Sequence, residues 1–241
     1  MDKSITQLMS AEFLPLVRSV FGDRLVSVIL YGSGADDSFR PGVSDVNILI
    51  LLDEPQPALL ERLAREGRRR MRKHRITVMV ISEEEYLRGA DVFPMEYMDI
   101  RDRHVLLFGK DITGELEFSE ANLRQQLEQQ LRGALFSLRQ LIVAARGRKR
   151  VLKRELPRRQ GTLQTIFKGL VRLTAATGDT ASPHDESPLP LLAERFDFDP
   201  APFEDLRRLR GGQKVETREL TRRLVLELAQ LVRGVDRWNE D

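Results

Sequence analysis

The chain has 241 residues, which suffices for one large domain or two small ones with a buried core. Its 39 lysines and arginines nearly balance its 37 acids, so the net charge of +2 indicates no particular class of partner. Cysteine is absent, which excludes disulfides, thiolate metal sites and a cysteine nucleophile. The N-terminus lacks the apolar core of a signal peptide and no run approaches membrane-spanning length, so we expect a soluble cytoplasmic protein.

Three strands are predicted in the first half of the chain. Apolar and often β-branched runs mark them at Leu25–Tyr31, Asp45–Leu52 and Ile76–Ile81. The first two are apolar on both faces, as central strands covered on either side are.

Helices are predicted around these strands. Ser4 is a suitable N-cap for the first helix, although Pro15 interrupts its apolar pattern. A second helical pattern covers about Pro57–His74, and Ser82 with Glu85 forms a capping box for a third helix. The alternation of strands and helices predicts an α/β arrangement.

Helical patterns dominate the second half, after a mixed segment, Asp91–Gly109, that stays unassigned. Long helices are predicted at about Ser119–Ala145, Gly161–Ala176 and Glu216–Trp238. Gly178–Pro190 is rich in turn-forming residues and predicts an exposed loop. We therefore predict an α/β (α+β) domain with a mixed sheet at residues 1–112 and an all-α helical bundle domain at residues 113–241.

The segment from Leu25 to Leu52 carries the most informative pattern. A buried strand leads into a Gly32-Ser33 turn, and a polar loop then leads through Ser44-Asp45-Val46-Asn47 into the next strand. Side chains alternate along a strand, so Asp45 and Asn47 point the same way, at the mouth of the turn. A turn of small residues that faces oxygen-bearing side chains suits a phosphate and a hard cation.

This pattern resembles that of the nucleotidyltransferase superfamily, which includes DNA polymerase β and the small antibiotic-modifying nucleotidyltransferases. The family pattern is a Gly-Ser turn followed by two aspartates separated by one apolar residue. Gly32, Ser33 and Asp45 match it, and Ser44 matches the serine that often precedes the first aspartate. The resemblance implies that Gly32, Ser33 and Ser44 bind nucleotide and that Asp45 binds Mg²⁺. It also implies transfer of a nucleoside monophosphate from ATP or another triphosphate to a hydroxyl-bearing acceptor.

Two departures from the family pattern weaken the expected chemistry. Asn47 replaces the second aspartate and offers a carbonyl oxygen without charge. The family usually draws a third carboxylate from a later strand, but the candidate positions hold Thr77, Val78 and Met79. Unit charges about 4 Å apart attract by about 4 kcal/mol at an effective dielectric of about 20, so their loss disfavours a Mg²⁺ pair. We expect at most one Mg²⁺, carried in with the nucleotide, with Asp45 and Asn47 as its ligands and as the catalytic pair.

Glu96 and Asp99 are the alternative source of a third acid, on the condition that Phe93–Asp99 is the relevant strand. The acids at Glu83–Glu85 follow the third strand and are expected to be solvated at a helix start. Two functional hypotheses result. One is a nucleotidyltransferase whose activity is weak or lost. The other is a catalytically inactive relative that binds nucleotide, a protein partner or RNA.

Two basic clusters complete the set of candidates. The first lies at residues 62–75 and is expected to be a solvated helix face. The second is nearly free of acids and could bind triphosphate, RNA or another polyanion. Its candidate residues are Arg148, Lys149, Arg150, Lys153 and Arg154. No aromatic residues interleave with them, which argues against a dedicated single-strand binding surface.

Overall fold

The computed structural model describes residues 4–36, 39, 44–175 and 188–237. The chain divides into two compact units, Met1–Ser119 and Glu120–Asp241. Most of the predicted Gly178–Pro190 loop and Trp238 lie outside the described residues. In the part of the chain that is described, no helix is both long enough and apolar enough to cross a membrane.

The first unit is built on a four-stranded sheet. Its strands are β1 (Leu25–Tyr31), β2 (Val46–Leu52), β3 (Ile76–Ser82) and β4 (His104–Gly109). Their order across the sheet is β3-β2-β1-β4, with β1 antiparallel to both of its neighbours and β2 parallel to β3. The predicted mixed sheet is confirmed, and its fourth strand comes from the segment that the sequence left unassigned.

Five α-helices accompany the sheet. They are α1 (Ile5–Leu8), α2 (Leu14–Phe21), α3 (Pro57–His74), α4 (Glu83–Gly89) and α5 (Pro94–Asp102). The predicted N-cap Ser4 begins α1, where it forms a capping box with Gln7, and the predicted capping box of Ser82 and Glu85 begins α4. A π-helical stretch, Met9–Phe13, joins α1 to α2 just ahead of Pro15. The wider turn accommodates a residue that lacks an N–H donor, so the helix continues where its sequence pattern is interrupted.

Packed apolar side chains cover both faces of the sheet. Alternate residues of the central strands point to opposite faces. One face packs against the N-terminal helices and α3, with Val28, Leu30, Ile48, Ile50, Phe13 and Val17 among its buried members. The other packs against α4 and α5, with Ile29, Leu49, Leu51, Tyr86, Tyr97 and Ile100 among its buried members. We call this second surface the α4/α5 face.

The second unit is entirely helical in its described part. Its helices are α6 (Glu120–Ala145), α7 (Lys149–Glu155), α8 (Gln160–Ala175), α9 (Leu189–Phe196), α10 (Ala201–Arg210) and α11 (Thr217–Arg237). One apolar face of α11 is buried, at Leu220, Leu224, Leu228, Leu231 and Val235. Gly234 permits a close approach of α9 to α11, because a Cβ atom there would lie 2.7 Å from the Phe196 carbonyl oxygen.

Candidate functional site

The predicted motif lies at one end of the sheet, where β1 ends and the other three strands begin. Tyr31 pairs with Asn47 on β2 and with His104 on β4, and Asn47 pairs with Thr77 on β3. Paired residues of neighbouring strands point to the same face. These four side chains therefore belong to the α4/α5 face at this end of the sheet.

The Gly-Ser turn continues directly from β1. Gly32 has a left-handed φ of +71° and opens a short 3₁₀ segment, Gly32–Ala35, in which Ser33 is partly exposed. The Gly32 N–H donates to the Arg103 carbonyl oxygen over 2.9 Å. A Cβ atom on Gly32 would meet the Asn47 side-chain nitrogen at 3.3 Å. Both the backbone conformation and the space beside it thus require glycine.

Asp45 lies immediately before β2 and is bound to an arginine. The Arg75 Nε–H donates to Asp45 Oδ1 over 2.8 Å, and the two side chains are 49% and 54% exposed. Arg75 follows the last residue of α3 with a left-handed φ of +53°, and its carbonyl oxygen accepts from the Val46 N–H over 3.0 Å. Ser44, the predicted nucleotide ligand, is half-buried beside Asp45. The carboxylate that the sequence assigns to a cation is therefore paired with a guanidinium.

The donors at this end of the sheet do not fit a resident pair of Mg²⁺ ions. Asn47 carries no charge, and β3 places Thr77 beside it in register. Arg75, one residue ahead of the first β2–β3 pair, holds the corresponding place beside Asp45. Across the described ranges, no group of three or more histidine, aspartate or glutamate side chains is arranged to hold a metal ion. Mg²⁺ requires several oxygen ligands, and a guanidinium is a competing cation.

The acids that the sequence offered as alternatives lie on a helix. Glu96 and Asp99 belong to α5, so the conditional strand at Phe93–Asp99 is wrong. Asp99 nevertheless acts on a residue of the sheet. Burial raises the pKa of Tyr31, and the negative charge of Asp99 raises it further. Tyr31 accordingly keeps its proton at neutral pH and remains a potential hydrogen-bond donor at this end of the sheet.

Arg103 holds the turn from the β4 side. Besides accepting from Gly32 through its carbonyl oxygen, it donates from Nη1 to Asp36 Oδ2 over 2.7 Å. Its side chain is 19% exposed, so this ion pair is more sheltered than the pair at Asp45. Sequence reasoning missed both residues, because they are 67 positions apart and meet only when β4 pairs with β1.

A hydrogen-bonded cluster lies at the start of β4. His104 contacts the Arg101 carbonyl oxygen through Nδ1 at 3.0 Å and Asp111 Oδ2 through Nε2 at 2.9 Å. Thr113 donates to Asp111 Oδ1 from its hydroxyl over 2.7 Å and from its N–H over 3.0 Å. Burial would raise the pKa of Asp111, but the hydrogen bonds from His104 and Thr113 outweigh it and lower that pKa. The cluster follows Arg103 directly in the chain, and no sequence pattern indicated it.

The structure shows where the residues of the two basic clusters lie. The cluster at residues 62–75 is mostly an exposed surface of α3, but Arg75 belongs to the motif end of the sheet. In the second unit, one surface depression is lined by Val151 together with Arg148, Arg150, Lys153 and Arg154. The fifth predicted residue, Lys149, is paired with Glu216 at 2.9 Å.

Comparison with known proteins gives a likeness of fold. No protein-family model matches the chain, and no curated protein matches it in sequence. Among solved structures, the crystal structure of spectinomycin adenyltransferase AAD(9) from Enterococcus faecialis with ATP and spectinomycin matches with a TM-score of 0.56. The match covers 97% of this chain and 100% of that chain at 14% sequence identity. The chain thus has a nucleotidyltransferase-like fold, with a mixed four-stranded sheet and its helices followed by a helical C-terminal region.

Proposed function

We propose that this chain binds a nucleoside triphosphate at the sheet end formed by Gly32, Ser33 and Ser44, and that its nucleotidyl transfer is weak or absent. The fold likeness to an adenyltransferase solved with ATP supports the nucleotide. The small residues at 32–35 support it too, because they let phosphate oxygens approach the backbone. The acceptor in any residual transfer would be a hydroxyl group, as the family resemblance implies.

The pairing of Asp45 with Arg75 is the observation that carries the second half of this proposal. Nucleotidyl transfer depends on neutralising the triphosphate and activating the attacking oxygen, usually through two Mg²⁺ ions. Here Asp45 already has a cationic partner, and Asn47 and Thr77 add no charge. Mg²⁺ belongs to the proposal only as an ion that the triphosphate brings with it.

Two measurements on the full chain test the proposal. Calorimetric titration with ATP should give a saturable heat, and the absence of binding at millimolar ATP would contradict the nucleotide site. Pyrophosphate release should stay at or just above the level of a protein-free control across a panel of hydroxyl-bearing acceptors. Release well above that level that is lost in Asp45→Asn would show an active transferase and contradict the proposed weakness or absence of transfer.

A polyanion-binding role is a second candidate, supported by the depression beside α7. Arg148, Arg150, Lys153 and Arg154 line it together, and a phosphate backbone is the ligand that such a surface suits. RNA binding should weaken steeply with salt, and the double substitution Arg150→Ser with Lys153→Ser should reduce the log–log salt slope by about 1.4. The matched control is Arg68→Ser with Arg69→Ser on α3, which removes the same charge from another exposed surface. RNA affinity that ignores both salt and the α7 substitutions would exclude this role.

A further inference from the structure

Arg75 occupies a particular place relative to the Gly-Ser turn. The sheet order β3-β2-β1-β4 and the parallel pairing of β2 with β3 put the starts of β2 and β3 next to each other. The antiparallel pairing of β1 with β2 brings the end of β1, and so Gly32, to the same edge. A guanidinium, a carboxylate and a small-residue turn thus follow one another along this edge.

The backbone of Arg75 is fixed independently of its side chain. Its N–H donates to the Met71 carbonyl oxygen at the end of α3, and its carbonyl oxygen accepts from Val46 at the start of β2. Its side chain makes a single-point contact, from Nε to Asp45 Oδ1. A guanidinium has five N–H donors, so most of the hydrogen-bonding capacity of Arg75 lies outside this contact.

We infer that Arg75 is the cation that binds the phosphates of the nucleotide at this site, and that Asp45 competes with them for Arg75 instead of serving as a metal ligand. The inference rests on the proposed nucleotide site and specifies how that site holds its ligand. Nucleotide binding then does not require a divalent cation. The positive charge is that of Arg75, which directly follows α3 and lies beside Asp45, the expected metal-binding carboxylate.

Because the ion pair is exposed, replacing the Asp45 contact of Arg75 with a phosphate contact costs little free energy. Ion pairs between exposed side chains contribute little to stability, and here both side chains are about half exposed. Guanidinium–phosphate contacts are charge-assisted and often bidentate. A phosphate that accepts from two N–H groups of Arg75 therefore competes with the single Nε contact to Asp45.

The opposite role for Asp45 has less support at this site. Mg²⁺ at nucleotide sites is usually bound by one or two carboxylates together with phosphates and water, and here Asn47 is a neutral amide and the partner of Asp45 is a guanidinium. Arg75 would also stand next to the incoming ion and repel it. The same geometry that disfavours a metal favours an anion.

ATP titrations of the full chain in Mg²⁺ and in EDTA, with three variants, test the inference. We expect the wild-type Kd in EDTA to lie within about threefold of the Kd in Mg²⁺. Arg75→Gln should weaken binding about tenfold or more in both buffers, since one charge-assisted contact corresponds to at least about tenfold in affinity. Arg75→Lys, which keeps the charge without the planar fork, should give an intermediate loss. Asp45→Asn should strengthen binding in EDTA about threefold, because it removes the competitor.

Arg69→Gln is the matched control, since it removes the same charge from an exposed position on α3 and should leave Kd unchanged. The backbone bonds of Arg75 do not involve its side chain, and Arg75→Lys and Asp45→Asn keep the test valid if Arg75→Gln unfolds the protein. ATP binding that occurs only with Mg²⁺ and is lost in Asp45→Asn would overturn the inference and leave the proposed nucleotide site intact. The absence of binding in both buffers would overturn both.

Discussion

The Asn47 side-chain nitrogen lies 3.3 Å from the position that a Cβ atom would take on Gly32. Gly32 also has a φ of +71°, so Gly32→Ala combines backbone strain with a tight contact. We expect a loss of about 1–3 kcal/mol in the free energy of unfolding, measured by urea denaturation. The displaced residues belong to the candidate site. ATP affinity should therefore fall even under conditions in which the variant is fully folded.

Gly161→Ala is the control for this substitution. Gly161 lies in α8, its φ is ordinary, and no atom outside its own helix lies within 4 Å of the added Cβ. Alanine has the higher helix propensity, so this variant should be stabilised by up to about 1 kcal/mol and should bind ATP as the wild type does. Equal losses in the two variants would contradict a specific role for the turn.

Restoring the missing aspartate should not by itself restore transfer. Asn47→Asp adds a charge beside Asp45, and we expect Mn²⁺ affinity to rise about tenfold as a result. Pyrophosphate release should nevertheless stay at background, because β3 places Thr77 in register with this position. The double variant Asn47→Asp with Thr77→Glu supplies a second acid on the same face and should give measurable release. Turnover by the single variant would show that an acid from elsewhere, such as Asp99 on α5, already completes the site.

The strands and the turn were predictable because their signals are local. The bounds of β1 and of α3 follow directly from runs of apolar residues and from helical periodicity. The capping boxes at Ser4 and Ser82 depend on residues three positions apart, so the sequence displays them. A Gly-Ser pair after a buried strand likewise needs no knowledge of the rest of the fold.

The charge pattern of the site was not predictable in the same way. Arg75 reaches Asp45 across 30 positions through the β2–β3 pairing, and in the sequence it looks like the end of a basic helix face. Arg103 was missed because β4 was not recognised: its side chains are only partly buried, which gives it no clear alternation. Each of these contacts is a product of strand order, which a run of residues does not encode.

The hydrogen-bonded cluster at the start of β4 predicts a pH dependence of stability. The Asp111 carboxyl has a pKa below its ordinary value of 3.8 in the folded chain, so its ionised form is stabilised by folding. That contribution is fully present above pH 3.8 and is lost as the pH falls through the lowered pKa. Asp111→Asn should therefore reduce the free energy of unfolding at pH 7 by about 0.5–1 kcal/mol, a range appropriate to a partly exposed pair.

Urea denaturation of wild type and Asp111→Asn at pH 7, 5 and 3 measures this difference. The difference should be smaller at pH 3 than at pH 5 or pH 7. Asn at this position retains an oxygen that can accept from Thr113 but replaces Oδ2, which contacts His104 Nε2, with an amide nitrogen, so the variant removes the charge and that contact together. Asp23→Asn, at an exposed acid in the short segment before β1, is the control and should show no such change. A difference that stays constant down to pH 3 would mean that the carboxylate charge is not stabilising.

Gly109 closes β4 in a conformation that other residues rarely adopt. Its φ is +83°, and a Cβ atom there would lie 1.9 Å from the Val26 carbonyl oxygen, which is backbone and has little freedom to move. Gly109→Ala should therefore destabilise the first unit by about 3 kcal/mol or more, measured by urea denaturation. Gly114→Ala, where no atom lies within 4 Å of the added Cβ, should change stability by no more than about 0.5 kcal/mol.

The same variant tests the prediction that the two halves of the chain are separate domains. The sheet and α6 to α11 belong to different compact units, so strain at Gly109 should be felt only in the first. In hydrogen exchange, the amides of β1 and β4 should lose protection in Gly109→Ala, while those of α8 and α11 keep theirs. Equal loss of protection in α11 would mean that the two units unfold together. The prediction that they are independently stable domains would then be wrong. Loss confined to the sheet would also explain reduced ATP binding, since Arg103, which directly precedes β4, accepts from the Gly32 N–H and pairs with Asp36.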